Sequence, residues 1–486
     1  MKYKGGYTDR SDDCISLAMS SFAGKGDLTT GSVRSHLIRL TIPMIWGLFA
    51  LISFQLVNTY YVSRLGTEAL AAISYTFPVT YAMFSVFLGF GIAMSSVISR
   101  LIGEKKTEDV KRVTSHGILL VLLVSMGVAA LGLALLDPIF RHMGAPEALM
   151  PHIRDYMTLY FMGTFIVSMP VVGNAALRAT GDTVIPALIM TIAALTNAFL
   201  DPILIFGLFG APRLEIQGAA ISTIFSNTFA MLAGLWFMNR KALFDFAHIR
   251  NLLHFGDSAR RLLVIAIPAG LTSTLPSLLN SNINAVLSKS GPETVAAFGV
   301  ASRVEAFAFI IMMAVSVGMA PIIGQNWGAR NFARVREALR DALGFCVLWS
   351  LGVALVLGAF ADSLSHVFTK DILVQPILAL YFVVVPISYG LSNVTNCWGS
   401  AYNAMGKPQY STLLLLVKMV VLTIPSIYLG YAVAGPVGVF AAICGCNLLT
   451  GLGFHLMNKR ILSRFELGLK IGLFPAKFRS EPPQEQ

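Results

Sequence analysis

Two carboxylates stand deep inside apolar stretches of the sequence, and they are where chemistry is first legible. Of the 25 Asp and Glu residues in the 486-residue chain, only Asp201 and Glu305 fall well within such a stretch. An ionisable group in apolar surroundings is costly and is a functional candidate by default. Asp201 sits in TNAFLDPILIFG. Asn197 precedes it by four residues, so on a helix both side chains share one face. Pro202 follows directly, and its missing N–H leaves the carbonyl of Ala198 without a helical partner. A carboxylate, an amide oxygen and a freed carbonyl are the hard oxygen ligands that a small cation prefers. The same carboxylate could carry a proton instead. The structural alternative is an Asp hydrogen-bonded as a packing element.

The other polar groups in apolar runs are fewer. Glu305 stands two residues from Arg303 in ASRVEAF, on nearly the opposite helix face, so each needs a partner elsewhere or a place near the outer interface. Lys418 lies in LLLLVKMVVL, from which a long side chain can snorkel to the nearer membrane surface. Facing a cavity, it would instead repel cations or bind an anionic group. Pro43 is placed to permit a helix bend. Tyr60, Tyr61, Tyr75, Phe77, Tyr81 and Phe84 offer faces to a cationic ligand, or anchor helices at the interface. The five cysteines are too few and scattered for a disulfide framework. Cys346, Cys397, Cys444 and Cys446 read as small buried thiols, and the CxC pair has no second ligand pair that would make a metal site.

These residues need helices to position them, and the composition says which kind. The chain is 55% hydrophobic and 13% charged, with a mean hydropathy of +0.70. Soluble chains carry about 25% charged residues, so a soluble globular protein, a disordered protein and a disulfide scaffold are excluded. Apolar runs long enough to cross a bilayer lie near 38–62, 72–102, 113–136, 155–178, 184–210, 217–239, 262–288, 296–326, 340–361, 376–403, 410–432 and 438–458. Alternating ten-residue strands are absent, which argues against a transmembrane barrel. The polar first 36 residues lack the apolar core of a signal peptide. Of 36 Lys and Arg, Arg64, Arg141, Arg154, Arg213, Lys289 and Lys370 fall on one side, and Arg303 and Lys418 inside spans. All others fall on the opposite side. The positive-inside rule therefore predicts that both termini are cytoplasmic. The net charge of +11 follows from this bias and from attraction to anionic lipids, with no nucleic-acid partner required.

The sequence also repeats. Residues 37–210 lie on 262–432 at a constant shift of 225: Pro43 on Pro268, Gly66 on Gly291, Glu68 on Glu293, Gly103 on Gly328, Ala179 on Ala404 and Gly181 on Gly406. Six helices per half is an even number, so the halves insert with the same orientation, as parallel repeats about an axis normal to the membrane. The expected fold is an all-α integral membrane protein of twelve transmembrane helices in two pseudo-symmetric six-helix lobes. Its segments are a polar cytoplasmic stretch 1–36, an N-terminal lobe 37–240, a cytoplasmic linker 241–261, a C-terminal lobe 262–458 and a cytoplasmic tail 459–486. A cavity between rocking lobes would open to each side in turn.

The motifs LTIPMIWGLFALISFQLVNTYYVSRLGTEALAA, TNAFLDPILIFG, QGAAIST and MAPIIGQNWGARN resemble those of the multidrug and toxic compound extrusion (MATE) family over nearly the whole chain after residue 36. The absence of acidic residues in the seventh and tenth helices is most similar to its DinF-like branch. The resemblance implies a plasma-membrane antiporter, in a bacterium the inner membrane. It would export cationic, amphipathic small molecules in exchange for H+ or Na+, without a further cofactor, and as a monomer among membrane lipids. It also implies a coupling cluster at Asn58, Asn197, Asp201 and Thr223, and a first helix that bends near Pro43. The family's first-helix carboxylate is replaced here by Asn58, in VNT. A lipid-linked oligosaccharide flippase of similar architecture would need several inward Arg or Lys residues to hold a pyrophosphate, and only Arg303 and Lys418 are available. A channel or a structural bundle would not need duplicated lobes that move. No nucleophile–base pair, metal-ligand set or Walker-type loop suggests an enzyme or ATP use.

Overall fold

The structure, a computed structural model, describes residues 27–467. The residues before 27 and after 467, and with them both expected cytoplasmic ends, lie outside the described residues. All regular elements among the described residues are helices. Ser32 caps the first, its hydroxyl accepting from the backbone N–H of Ser35 at 3.4 Å, as short hydroxyl residues do at helix starts. The helix runs over Val33–Ser63 without a break at Pro43. The second and third are Thr67–Gly103 and Thr107–Ala134. The fourth span is bent by 51° between its two helices, Met150–Met162 and Thr164–Ala179. The fifth, Val184–Phe206, ends on left-handed Gly207, and the sixth is Glu215–Arg240. After a short helix at Phe246–Arg250 come the seventh to ninth spans, Phe255–Leu287, Pro292–Gly328 and Phe332–Ala359. The tenth is again two helices, Gln375–Val384 and Tyr389–Ala404. The 59-residue run Pro408–Glu466 has a π-helical turn at Val417–Thr423 and non-helical backbone at Ala434 and Gly435. There Gly430 and Gly438 meet backbone to backbone, so the run folds on itself into the eleventh and twelfth spans.

Several helices outrun the apolar stretches. The first begins at Val33, the seventh at Phe255 and the last ends at Glu466. Arg34, Asp257, Arg261, Lys459 and Arg464 end a hydrocarbon-compatible run but not a helix, whose backbone is satisfied internally in either medium.

The repeat is written into the backbone. Helix ends Gly103 and Gly328, Ala134 and Ala359, and Ala179 and Ala404 keep the 225 shift. So do the positive φ angles of Gly66 and Gly291 (119° and 109°), Lys105 and Arg330 (59° and 57°), and Gly181 and Gly406 (83° and 73°). Contacts between the halves are reciprocal. Gly103 lies on the backbone of Gln325, and Gly328 lies on that of Arg100, the repeat mate of Gln325. A residue that meets its partner's mate in both directions is the mark of a two-fold contact. The close crossing of the second and eighth helices requires glycine, since a Cβ at either position would overlap the opposite backbone.

The hydrophobic cores interlock at the same end. Leu37 and Leu40 at the start of the first helix join the core of the second half. Leu262 and Ile265, their repeat mates, join the core of the first half. The end that carries the basic loops is therefore sealed.

Candidate functional site

In the first half, the fifth and sixth helices build a polar pocket against the first helix, toward its end away from the basic loops. Asp201 is fully buried. One carboxylate oxygen accepts from the Ser222 hydroxyl and the other from Asn58 Nδ2 at 3.1 Å. Asn197, on the same face, is 2% exposed and donates to Ser226 Oγ at 3.0 Å and Thr223 Oγ1 at 3.3 Å. Asn197 Oδ1 is buried with no donor. Among the described residues, no Lys or Arg side chain compensates the Asp201 carboxylate. The pocket thus combines a carboxylate with an unpaired amide oxygen. The structure brings together Asn58, Asn197, Asp201 and Thr223, the cluster that the family resemblance implied, and adds Ser222, Ser226 and Tyr156, which were not expected. The hydroxyl run in ISTIFSNT was the signal for the two serines. Tyr156, on the bent fourth span, lies within electrostatic reach of Asp201 and stacks on Tyr160 at 5.9 Å.

The second half holds a different cluster. Glu305 accepts from the Tyr381 hydroxyl, and the Tyr389 hydroxyl also reaches it. Lys418 does not snorkel. It is 3% exposed, and its Nζ donates to Ser392 Oγ at 2.8 Å and the Ser392 carbonyl at 3.1 Å, within electrostatic reach of Glu305. The lysine lies in the π-helical turn, so it faces the lobe interior. Arg303 is exposed, on the helix face opposite Glu305. One turn further on, Phe307 meets Phe49 of the first helix at 6.4 Å, so that face looks toward the other lobe. Cys346 and Cys397 are buried, and Asn393 of the glycosylation-like NVT donates to Cys346 Sγ at 3.1 Å inside the lobe.

Away from the sealed end, polar side chains are exposed in the last turns of two helices. Gln55 and Thr59 in the first helix, and their repeat mates Asn280 and Asn284 in the seventh, form matching stripes. An exposed amide is unfavourable against lipid, so Gln55 and Asn280 suit a water-filled cleft between the lobes at this end.

This geometry can be set beside known proteins. The MatE family model matches residues 43–203 and 268–429, one stretch in each half. The chain belongs to the MATE family. It is 37% identical over 440 residues to a protein of Shewanella oneidensis named FAD transporter, covering 89% of this chain and 96% of that one. It is 25% identical over 410 residues to the multidrug export protein MepA of Staphylococcus haemolyticus, covering 84% and 89%. Among solved structures, the Vibrio cholerae MATE transporter VcmN in its bent form superposes with a TM-score of 0.86 at 29% identity, covering 91% of this chain and all of that one. The protein is a multi-pass membrane transporter of small molecules, not an enzyme.

In this MATE transporter the aromatic candidates do not form one cage. Tyr61 packs edge-on against Phe206 at 6.3 Å, and the Tyr75 hydroxyl donates to the Gly144 carbonyl at 3.3 Å. Phe77, Tyr81 and Phe84 form a ridge on the second helix, with Phe77 stacked on Tyr81 at 6.0 Å. The Tyr81 hydroxyl donates to the Ser273 carbonyl of the other lobe at 3.3 Å.

Proposed function

We propose that this MATE transporter is a secondary active antiporter that exports organic molecules by alternating access, driven by inward H+ or Na+ bound at Asp201. The single observation behind this is the uncompensated pocket: a fully buried carboxylate beside the unpaired Oδ1 of Asn197. A buried carboxylate without a counter-charge is strongly disfavoured unless it takes a proton or a cation. Loading and unloading therefore change the hydrogen bonds available to Asn58, and with them the first helix. The excess of basic residues on one side supports a bacterial inner-membrane protein with both termini cytoplasmic. The sealed end then faces the cytoplasm and the cleft opens outward.

The ridge of Phe77, Tyr81 and Phe84 suits cationic amphipathic molecules. A second substrate class has its own support: planar molecules that carry phosphate, of which FAD is one. Arg303 is exposed toward the cleft, has no carboxylate on its own helix face, and could hold such an anion. The similarity to the Shewanella FAD transporter points the same way. Both are tested in proteoliposomes with proton and sodium gradients imposed separately, using a cationic dye in one arm and FAD in the other. Gradient-driven movement of either that is lost in Asp201→Asn is the expected result. Transport of either compound that Asp201→Asn leaves unchanged would overturn the coupling site.

A further inference from the structure

The motif GQNWGARN, at the end of the eighth helix, has no part in the ion pocket. Its side chains reach out of their own lobe to the strap of residues ahead of the first helix. Leu28 in that strap is fully buried in the core of the second half. Its N–H donates to Gln325 Oε1 at 3.0 Å, while Gln325 Nε2 donates to the Ala179 carbonyl at 2.9 Å. One amide thus ties together two separate parts of the other half. Asn326 Nδ2 donates to the Leu28 carbonyl at 3.0 Å. Arg334, at the start of the ninth helix, donates from Nη1 to the Gly31 carbonyl at 2.6 Å, and from Nη2 to the carbonyls of Leu28 and Thr30 at 3.1 Å each. Its Nε donates to Asn326 Oδ1 at 3.0 Å, which fixes the guanidinium in place.

We propose that Gln325, Asn326 and Arg334 form a latch that grips the strap and holds the cleft shut at its basic end. Three features favour a latch over ordinary packing. First, the grip is on backbone carbonyls of a non-helical strap, so it reads the strap's path and not its side chains. A planar guanidinium with several fixed donors suits this, and an ammonium does not. Second, the grip occurs at only one of two equivalent sites. The repeat mates of Asn326 and Arg334 are Leu101 and Asp109, which cannot donate in this way, and Asp109 pairs with Arg112 instead. The segment equivalent to the strap, 252–257, receives no such grip; His116 bonds only residues on either side of it, its ring nitrogens lying 2.9 Å from Ser258 Oγ and 3.1 Å from the His248 carbonyl. Third, the strap continues directly into the first helix, which runs unbroken through Pro43 to Asn58 at Asp201. One helix therefore joins the ion pocket to the latch. A shift of its outer end on loading would pull on the strap. The latch's role in the cycle rests on the alternating-access function proposed above; its geometry does not.

The test places a single cysteine at Gln55 in an otherwise cysteine-free protein and measures labelling by a membrane-impermeant maleimide from each side, in vesicles of both orientations. With the latch intact, Gln55→Cys labels from the cleft side only. Adding Arg334→Ala is expected to raise labelling from the basic-end side by about tenfold and lower it from the other, as a population shift requires. Arg334→Lys, which cannot span three carbonyls, should fall between. Arg336→Ala, which breaks a pair with Glu466 at the same end, should behave as the parent. Asn326→Leu, which copies the repeat mate, provides a second variant should Arg334→Ala fail to reach the membrane. Parental labelling in both Arg334→Ala and Asn326→Leu would overturn the latch. Changed labelling in a protein that moves neither test substrate would leave the latch standing and count against the proposed function.

Discussion

The two lobes share a backbone frame but not a charge plan. Tyr156 and Tyr381 are repeat mates, each on the first of the two helices of its span and each near a carboxylate inside its lobe. In the first lobe that carboxylate, Asp201, has only neutral neighbours, and a nearby acceptor goes unpaired. In the second lobe Glu305 has phenol donors and an ammonium, Lys418, within reach. A buried charge that already has a partner gains little from an added ion, whereas one without a partner must acquire one. The duplication thus leaves one lobe with a buried carboxylate that no cation partners, the site proposed above to exchange ions, and the other with a tethered ammonium near its carboxylate.

The largest expected effect breaks that contrast directly. Asp201→Asn should cut gradient-driven export on the order of a hundredfold, the equivalent of a charge-assisted site worth about 3 kcal/mol, while the protein still inserts and folds. Glu305→Gln should keep its coupling. Efflux normalised to the amount in the membrane measures both. Coupling retained in Asp201→Asn and lost in Glu305→Gln would exchange the roles of the lobes.

Stability should show the reverse pattern. Lys418→Met removes the cation within electrostatic reach of Glu305 and the two bonds to Ser392, which should cost about 1–3 kcal/mol. The double variant with Glu305→Gln should recover most of that loss, because both charges are then gone. Unfolding in detergent reads the cycle. Equal loss in the single and double variants would mean that the ammonium is held by Ser392 alone.

Much of this contrast was legible in the residues. The shift of 225 survives because the positions that fix chain direction, Gly66, Gly103, Gly181 and their mates, are ones where a side chain would strain the backbone or overlap a neighbour. Asn197 and Asp201 were legible as a pair because four residues return to one helix face. Ser222 was not. Thr223 was expected at the cluster, and it does bond Asn197, but one residue turns a helix by about 100°, and it is Ser222 that meets the carboxylate. Lys418 misled because depth along a span does not say which way a side chain points, and the π-helical turn changes the face it presents. The exposed stripes of Gln55, Thr59, Asn280 and Asn284 carry no sequence signal of their own, because the face a helix turns toward the other lobe is set by packing.

A smaller effect sharpens the role of the first helix. Asn58 supplies one neutral donor to Asp201 at 3.1 Å. Asn58→Ala removes a dipole and not the charge, so export should fall by about three- to tenfold, in line with ~1 kcal/mol for one such bond. A loss as deep as that of Asp201→Asn would make Asn58 an obligatory ligand of the ion.

The smallest effect compares the two tyrosines. The Tyr381 hydroxyl donates to Glu305, so Tyr381→Phe leaves a partly buried carboxylate one donor short. It should lower stability by about 1–2 kcal/mol, the cost of an unsatisfied buried acceptor. Tyr156 stacks on Tyr160 and shows no hydrogen bond to Asp201, whose oxygens are taken by Ser222 and Asn58. Tyr156→Phe keeps the ring and its stacking, and should change stability by less than about 0.5 kcal/mol, within the range of substitutions that remove no key contact. The informative case is Tyr156→Phe with unaltered stability but weakened ion coupling. The Tyr156 hydroxyl would then join the pocket only when an ion has displaced Asn58 or Ser222. The same variant with full coupling would confine the exchangeable site to the first, fifth and sixth helices.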